Sequence, residues 1–154
     1  MTDSKIKHSD AITFLKKEHR EVEEAFAQYE ELGPKAYVGK KKLADKICAE
    51  LIVHTQLEEE IIYPAFLEKI SGQKDLIDEA QVEHDGAKTL IEEIQQMQAD
   101  EELFDAKVKV LSEYIEHHVE EEEKEMFPLM EKSSLDLLLL GEKLTERKQQ
   151  LSRS

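Results

Sequence analysis

"HTQLEEEIIYP", His54 to Pro64, interrupts a segment that otherwise reads as a core helix. Leu43, Ile47, Leu51, His54, Glu58, Ile61 and Ala65 fall at steps of three and four, the spacing of a single helical face. His54 and Glu58 stand where leucines are expected. Residues four apart share a face, so an imidazole and a carboxylate point inward together. An unpaired carboxylate in an apolar core costs several kcal/mol even after relaxation. The stretch therefore predicts both a buried helix and a cation that compensates Glu58.

Three other segments carry the same period. The first follows Ser9 or Asp10, either of which is a good N-cap, and places Ile12, Leu15, His19, Val22, Phe26 and Tyr29 on one face before Gly33-Pro34. The third, after Asp75, carries Ile77, Ala80, His84, Ala87, Ile91 and Ile94. The fourth, after Asp100, carries Phe104, Val108, Leu111, Ile115, His118, Glu122, Met126 and Leu129. Strand-like alternation is absent. The pattern predicts helices over about 10–32, 40–70, 75–98 and 101–131. Short connections make them antiparallel neighbours, giving an all-α, up-down-up-down four-helix bundle in one domain over 1–154, with the bundle at about 8–131. "SLDLLLLGEKLTERKQQ" predicts a short fifth helix at about 134–150, laid on the bundle; Leu137 to Leu140 could instead cover a dimer patch. Pro64 and Pro128, each six residues after an inward glutamate, are expected to bend or end their helices.

Bulk composition narrows the classes of function. The 154 residues suffice for one core. A net charge of −15 disfavours nucleic acid and anionic membranes as partners. No apolar run reaches the length of a membrane span, and the N-terminus has no apolar signal-peptide core. Cys48 is the sole cysteine, which excludes an internal disulfide and points to a cytoplasmic protein. The expected oligomeric state is monomer or weak homodimer.

Each of the four stripes holds one histidine: His19, His54, His84 and His118. Glu58 and Glu122 follow one turn after the second and fourth. His19 to His54 is 35 residues and His84 to His118 is 34, "EHR" answers "EHD", and two H-x-x-x-E-E segments each reach an aromatic-Pro pair ten residues after the histidine. The two halves read as a duplicated helical hairpin. Pairing them about a pseudo-twofold brings two His/His/Glu sets together at mid-bundle. Such an N/O donor set suits Fe, Mn or Zn. The second nitrogen of each imidazole is expected to meet a backbone carbonyl or a glutamate of a neighbouring helix. Without metal, Glu58 and Glu122 are expected to lack a counter-charge, which raises carboxyl pKa values. His117 lies about 100° around the helix from His118 and belongs at the rim or surface. His8 is expected to be exposed before the first helix. Glu59, Glu60, Glu120, Glu121, Glu123 and Glu125 read as solvated faces, Tyr63 and Phe127 as core, and Cys48 as an inert buried thiol.

The residues in "KKEHREVE", "HTQLEEEIIYP", "VEHDGAK" and "HHVEEEEKEMFP" together resemble the hemerythrin-like, or HHE cation-binding, family over about residues 8–131. The resemblance implies a non-haem di-iron centre of two Fe ions, oxo- or hydroxo-bridged. His19, His54, His84 and His118 would be terminal ligands, and Glu58 and Glu122 would be bridges. Two positions depart from the O2-carrying members. Lys88 stands where their third helix supplies a second histidine, and Glu123 stands where their last carboxylate is an aspartate. The four-His, two-Glu set is closer to iron-centre repair proteins and related bacterial members. Three readings stay open. One is a protein that binds O2 or NO for sensing, storage or scavenging. The second is a redox enzyme acting on peroxide or NO, or an iron donor for repair. The last is a structural bundle with zinc or no metal.

Overall fold

The computed structural model describes residues 9–153; His8 lies outside them. Helix α1 (Ala11–Glu31) begins where Asp10 accepts the Thr13 amide hydrogen at 2.8 Å. The second rod comprises α2 (Tyr37–Leu57), a π-helical turn (Glu58–Ile62) and α3 (Tyr63–Lys69). Helix α4 (Lys74–Gln96) is the third rod. Helix α5 (Phe104–Glu121), a second π-helical turn (Glu122–Met126) and α6 (Phe127–Lys132) make the fourth. Helix α7 (Leu137–Ser152), capped by Asp136, follows the fourth rod. No strand occurs among the described residues.

The rods form an up-down-up-down bundle. Packing runs from α1 to α2, α2 to α4, α4 to α5 and back to α1, while α7 lies across α1 and α2. Leu140 and Leu144 of α7 are buried, whereas Leu138 and Leu139 are exposed. The leucine run thus divides between packing on its own bundle and facing solvent. Gly141 permits this crossing, because a Cβ there would stand 2.0 Å from the Ser9 carbonyl oxygen.

Two apolar clusters fill the interior. One contains Val22, Phe26, Ile47, Leu51, Ala87, Ile91, Leu111 and Ile115. The other contains Leu15, Leu57, Ile62, Tyr63, Phe66, Ala80, Phe127, Met130 and Leu140. His19 falls between Leu15 and Val22 on α1, and His84 falls between Ala80 and Ala87 on α4. The buried histidines therefore occupy the seam between the clusters. At one end of the bundle, buried Lys40 pairs with Asp105 at 3.1 Å, and Asp105 also accepts the Tyr29 hydroxyl at 2.6 Å.

The π turns correct the sequence reading. Tyr63 donates its amide to the Glu58 carbonyl five residues back, and Phe127 donates to that of Glu122. Each turn holds one residue more than α-helical spacing allows, so the downstream stripe moves on by one. Ile62 and Phe66 are buried in place of Ile61 and Ala65, and Met130 in place of Leu129. Pro64 and Pro128 do not end their rods. The wide turn accommodates the ring that would clash with the carbonyl four residues earlier, and each proline is the second residue of the following helix, where its missing N–H matters little.

Candidate metal centre

All six inward groups named from the sequence converge. Glu58 is fully buried, and His19, His54, His84, His118 and Glu122 are buried with it. Each carboxylate spans two rods. Glu58 places Oε2 3.4 Å from His54 Nε2 and Oε1 3.1 Å from His84 Nε2. Glu122 places Oε1 3.0 Å from His19 Nε2 and Oε2 3.2 Å from His118 Nε2. One oxygen of each carboxylate therefore faces the His19/His54 pair, and the other faces the His84/His118 pair. The ring centroids are 5.2 Å apart in the first pair and 4.7 Å in the second.

The outer nitrogens are held as uniformly. A carboxylate only accepts, so each Nδ1 bound to one is an N–H donor and each Nε2 is left turned inward. His54 Nδ1 donates to Glu18 at 2.7 Å, His84 Nδ1 to Glu59 at 2.8 Å, His118 Nδ1 to Glu83 at 2.8 Å, and His19 Nδ1 to Glu123 at 2.7 Å. Every acceptor belongs to a neighbouring rod. Such bonds fix the orientation of an imidazole and raise its basicity. Glu59 and Glu123 are thus not simply solvated. Each is largely covered and pairs with a cation, Lys88 at 2.8 Å for Glu59 and Arg20 for Glu123. Lys148 of α7 pairs likewise with Glu18 at 2.6 Å. His117 is exposed, as expected. Cys48 is buried, and burial pushes its thiol up to about 12, which keeps it protonated and inert.

Tyr63 is core, as the sequence suggested, but its hydroxyl also reaches the cluster. The phenol oxygen lies 3.1 Å from His84 Nε2, 3.4 Å from His118 Nε2, 3.4 Å from Glu58 Oε1 and 3.3 Å from Glu122 Oε2. In a straight α-helix Tyr63 would point about 140° away from Glu58. The π turn returns it to the same face. Burial, followed by the charges of Glu58 and Glu122, pushes the phenol up and keeps it protonated. The repeated aromatic-Pro after H-x-x-x-E-E was the available signal, since π turns concentrate at functional sites.

The electrostatics differ from the sequence expectation. The imidazoles supply a counter-charge that the two carboxylates were expected to lack. Burial opposes charge on His54, but Glu58 and Glu18 outweigh it and raise His54 to about 10. Burial likewise opposes charge on His118, and Glu122, with Glu58 and Glu83, holds it well above the ordinary range. For Glu58, burial acts upward, yet His54 and the surrounding hydrogen bonds hold it well below the ordinary carboxylate range. Two inward atoms stay unsatisfied even so: His54 Nε2 and Glu58 Oε2 are buried with no hydrogen-bond partner. Donor atoms also gather in metal-binding proximity, His19, His54, Glu58 and Glu122 in one group and Glu58, His84 and His118 in another. Orphaned facing donors in a mixed N/O set fit the binding of a metal cation.

A cavity of about 410 Å³ opens onto all four histidines. Val22, Leu51, Ala87 and Ile115 make its wall apolar, and Glu18, Glu21, Glu50 and Lys148 contribute charge to its lining. It gives the site room for a small ligand.

Comparison with known proteins agrees with this geometry. Residues 10–130 match the family described as hemerythrin HHE cation binding domain. An uncharacterized hemerythrin-like protein of Schizosaccharomyces pombe is 33% identical over 85 residues, which cover 54% of this chain and 41% of that protein. The chain thus spans less than half the length of that relative. The crystal structure of a hemerythrin HHE cation binding domain-containing protein from Mycobacterium kansasii superposes with a TM-score of 0.77 at 24% identity, over 93% of this chain and 87% of the other.

Proposed function

Because the chain belongs to the hemerythrin HHE cation-binding domain family, we propose that its six inward groups hold two iron ions in a centre that binds a small ligand, O2 or NO. His19 and His54 would hold one ion and His84 and His118 the other, with Glu58 and Glu122 as bridges. The observation that carries this reading is the split of each carboxylate, one oxygen toward each histidine pair. Bound iron would supply reversible one-electron chemistry and open coordination positions.

The chain's own residues then do the rest. The Nδ1 bonds to Glu18, Glu59, Glu83 and Glu123 orient the imidazoles. The apolar cavity wall excludes bulk water. Tyr63 holds a proton at its hydroxyl beside His84 and His118, ready to donate a hydrogen bond to a small ligand. That phenol also favours a second reading, a redox enzyme acting on peroxide or NO, where a retained proton serves turnover. No described helix is long and apolar enough to cross a membrane. A cytoplasmic location is part of the proposal, supported by a free cysteine and no disulfide partner.

Metal analysis and an optical spectrum on freshly purified, anaerobically handled protein test the reading. About two Fe per chain and a spectrum that responds reversibly to O2 or NO are expected. Multiple turnover of peroxide would select the enzyme. A colourless protein carrying stoichiometric zinc after iron-replete expression would overturn both.

A further inference from the structure

Three of the four outer glutamates have a permanent cation: Lys148 at Glu18, Lys88 at Glu59 and Arg20 at Glu123. Glu83 breaks the pattern. Among the described residues it pairs with no lysine or arginine. Its Oε1 accepts a hydrogen bond from His118 Nδ1–H at 2.8 Å, and its Oε2 lies 3.4 Å from His117 Nε2. His117 Nε2 is in turn 3.1 Å from Glu121 Oε2, four residues along the same helix. His117-x-x-x-Glu121 thus repeats His118-x-x-x-Glu122 one residue earlier, on the solvent side. One donor atom from each of Glu83, His117 and Glu121 lies within 4.8 Å of the others.

We propose that Glu83, His117 and Glu121 form a third, solvent-open site for a divalent transition-metal cation. An imidazole and two carboxylates from two neighbouring helices offer three ligands, and water can complete the shell. Two carboxylates meeting an imidazole, where the three equivalent places carry a lysine or arginine, leave room for an exchangeable cation. The occupant would share Glu83 with His118. It would therefore be separated from the buried centre by the Glu83 carboxylate and the His118 imidazole, in the position of a loading station for that centre. Only this last role rests on the di-iron reading.

The test is Mn2+ titration of the protein as purified, followed by electron paramagnetic resonance, with inner metal content measured in the same samples. The wild type should take up one more ion than His117→Ala or Glu121→Gln, with nitrogen hyperfine modulation that His117→Ala abolishes. Each substitution should weaken that ion by about tenfold or more, the scale on which even the outer partners of a bound metal act. Glu120→Gln removes the same charge from an exposed neighbour paired with Lys124 and should leave the ion in place. The proposal is overturned by absence of the additional ion, by its persistence in both variants, or by an equal loss in Glu120→Gln. Absence of inner metal, with the outer ion still dependent on His117, would overturn the di-iron reading alone.

Discussion

Tyr63 and Phe127 occupy equivalent places, five residues after Glu58 and Glu122, and each lies beside a histidine. Phe127 stacks on His19 with centroids 5.9 Å apart and rings 4° from parallel, while Tyr63 tilts by 30° against His84 at 5.4 Å. Only Tyr63 carries a hydroxyl. The pseudo-symmetric site is therefore chemically one-sided, with a proton donor at the His84/His118 pair and a plain ring at the His19/His54 pair. Tyr63→Phe should keep the fold, because Phe127 shows that a phenylalanine fits such a place. Metal content should be unchanged. A lost hydrogen bond of about 1 kcal/mol corresponds to roughly fivefold faster release of NO. Stopped-flow release rates identical to the wild type would remove the hydroxyl from the ligand site.

Glu58→Gln should weaken both ions together, since Glu58 faces both histidine pairs. Glu60→Gln, two residues on, removes only an exposed pair with Arg147 at 2.8 Å, a kind of contact contributing about 1 kcal/mol or less. Metal content and thermal midpoint of the two variants decide the matter. Two tightly held ions in Glu58→Gln would rule out the bridging role proposed for it.

Glu59→Gln should act at a distance. It leaves all six inward groups in place but weakens the acceptor that fixes His84. Metal affinity should fall by about 10–100-fold, the usual effect of losing an outer partner. Competition with a chelator measures it, and an unchanged affinity would make Glu59 only a surface partner of Lys88.

Metal binding should release about two protons at neutral pH, because His54 and His118 are both held above the ordinary range in the metal-free chain. The sign for stability follows. A raised histidine contributes fully below its ordinary 6.5, and that contribution is lost as pH rises through the folded value, about 10 for His54. The metal-free protein should therefore lose stability between those values, and the advantage of the metal-loaded form should widen toward alkaline pH. Glu58, held low, adds stability present above its ordinary 4.5 and lost as pH falls through its folded value. Indicator-dye proton release and thermal midpoints across pH check both statements. A metal-free protein that gains stability from neutral toward alkaline pH would contradict them.

Gly141→Ala should destabilise the seat of α7 by about 1–3 kcal/mol, the usual range for overpacking. The obstructing atoms are backbone of Ser9 and Asp10, which cannot rotate away. Equilibrium denaturation measures the change, and an unaltered midpoint would mean that α7 shifts freely.

The bundle and the convergence of the six inward groups were legible because a 3.6-residue period shows which residues share a face. What escaped had other causes. A period read from sequence puts Ile61, Ala65 and Leu129 inward because it carries no inserted residue, and both π turns insert one. Tyr63 was seen only as core for the same reason. Glutamates of neighbouring helices were among the expected acceptors, but which ones was not legible: Glu59 and Glu123 read as solvated faces, and Glu18 and Glu83 carry no mark, because each serves a histidine of another rod. Glu18 stands beside His19 in the chain yet holds His54. Periodicity along one helix is silent about such crossings. Repetition of Glu-His and Glu-Glu in both halves was their one trace.

The four crossings also have a mechanical consequence. Glu18 joins the first rod to the second, Glu59 the second to the third, Glu83 the third to the fourth, and Glu123 the fourth back to the first. The links close into a hoop around the bundle at the level of the site, with no free end. No rod can slide or turn there without straining both of its links. The girth of the bundle is set by bonds outside the centre, so the chamber between the histidines is already braced to size before any metal arrives.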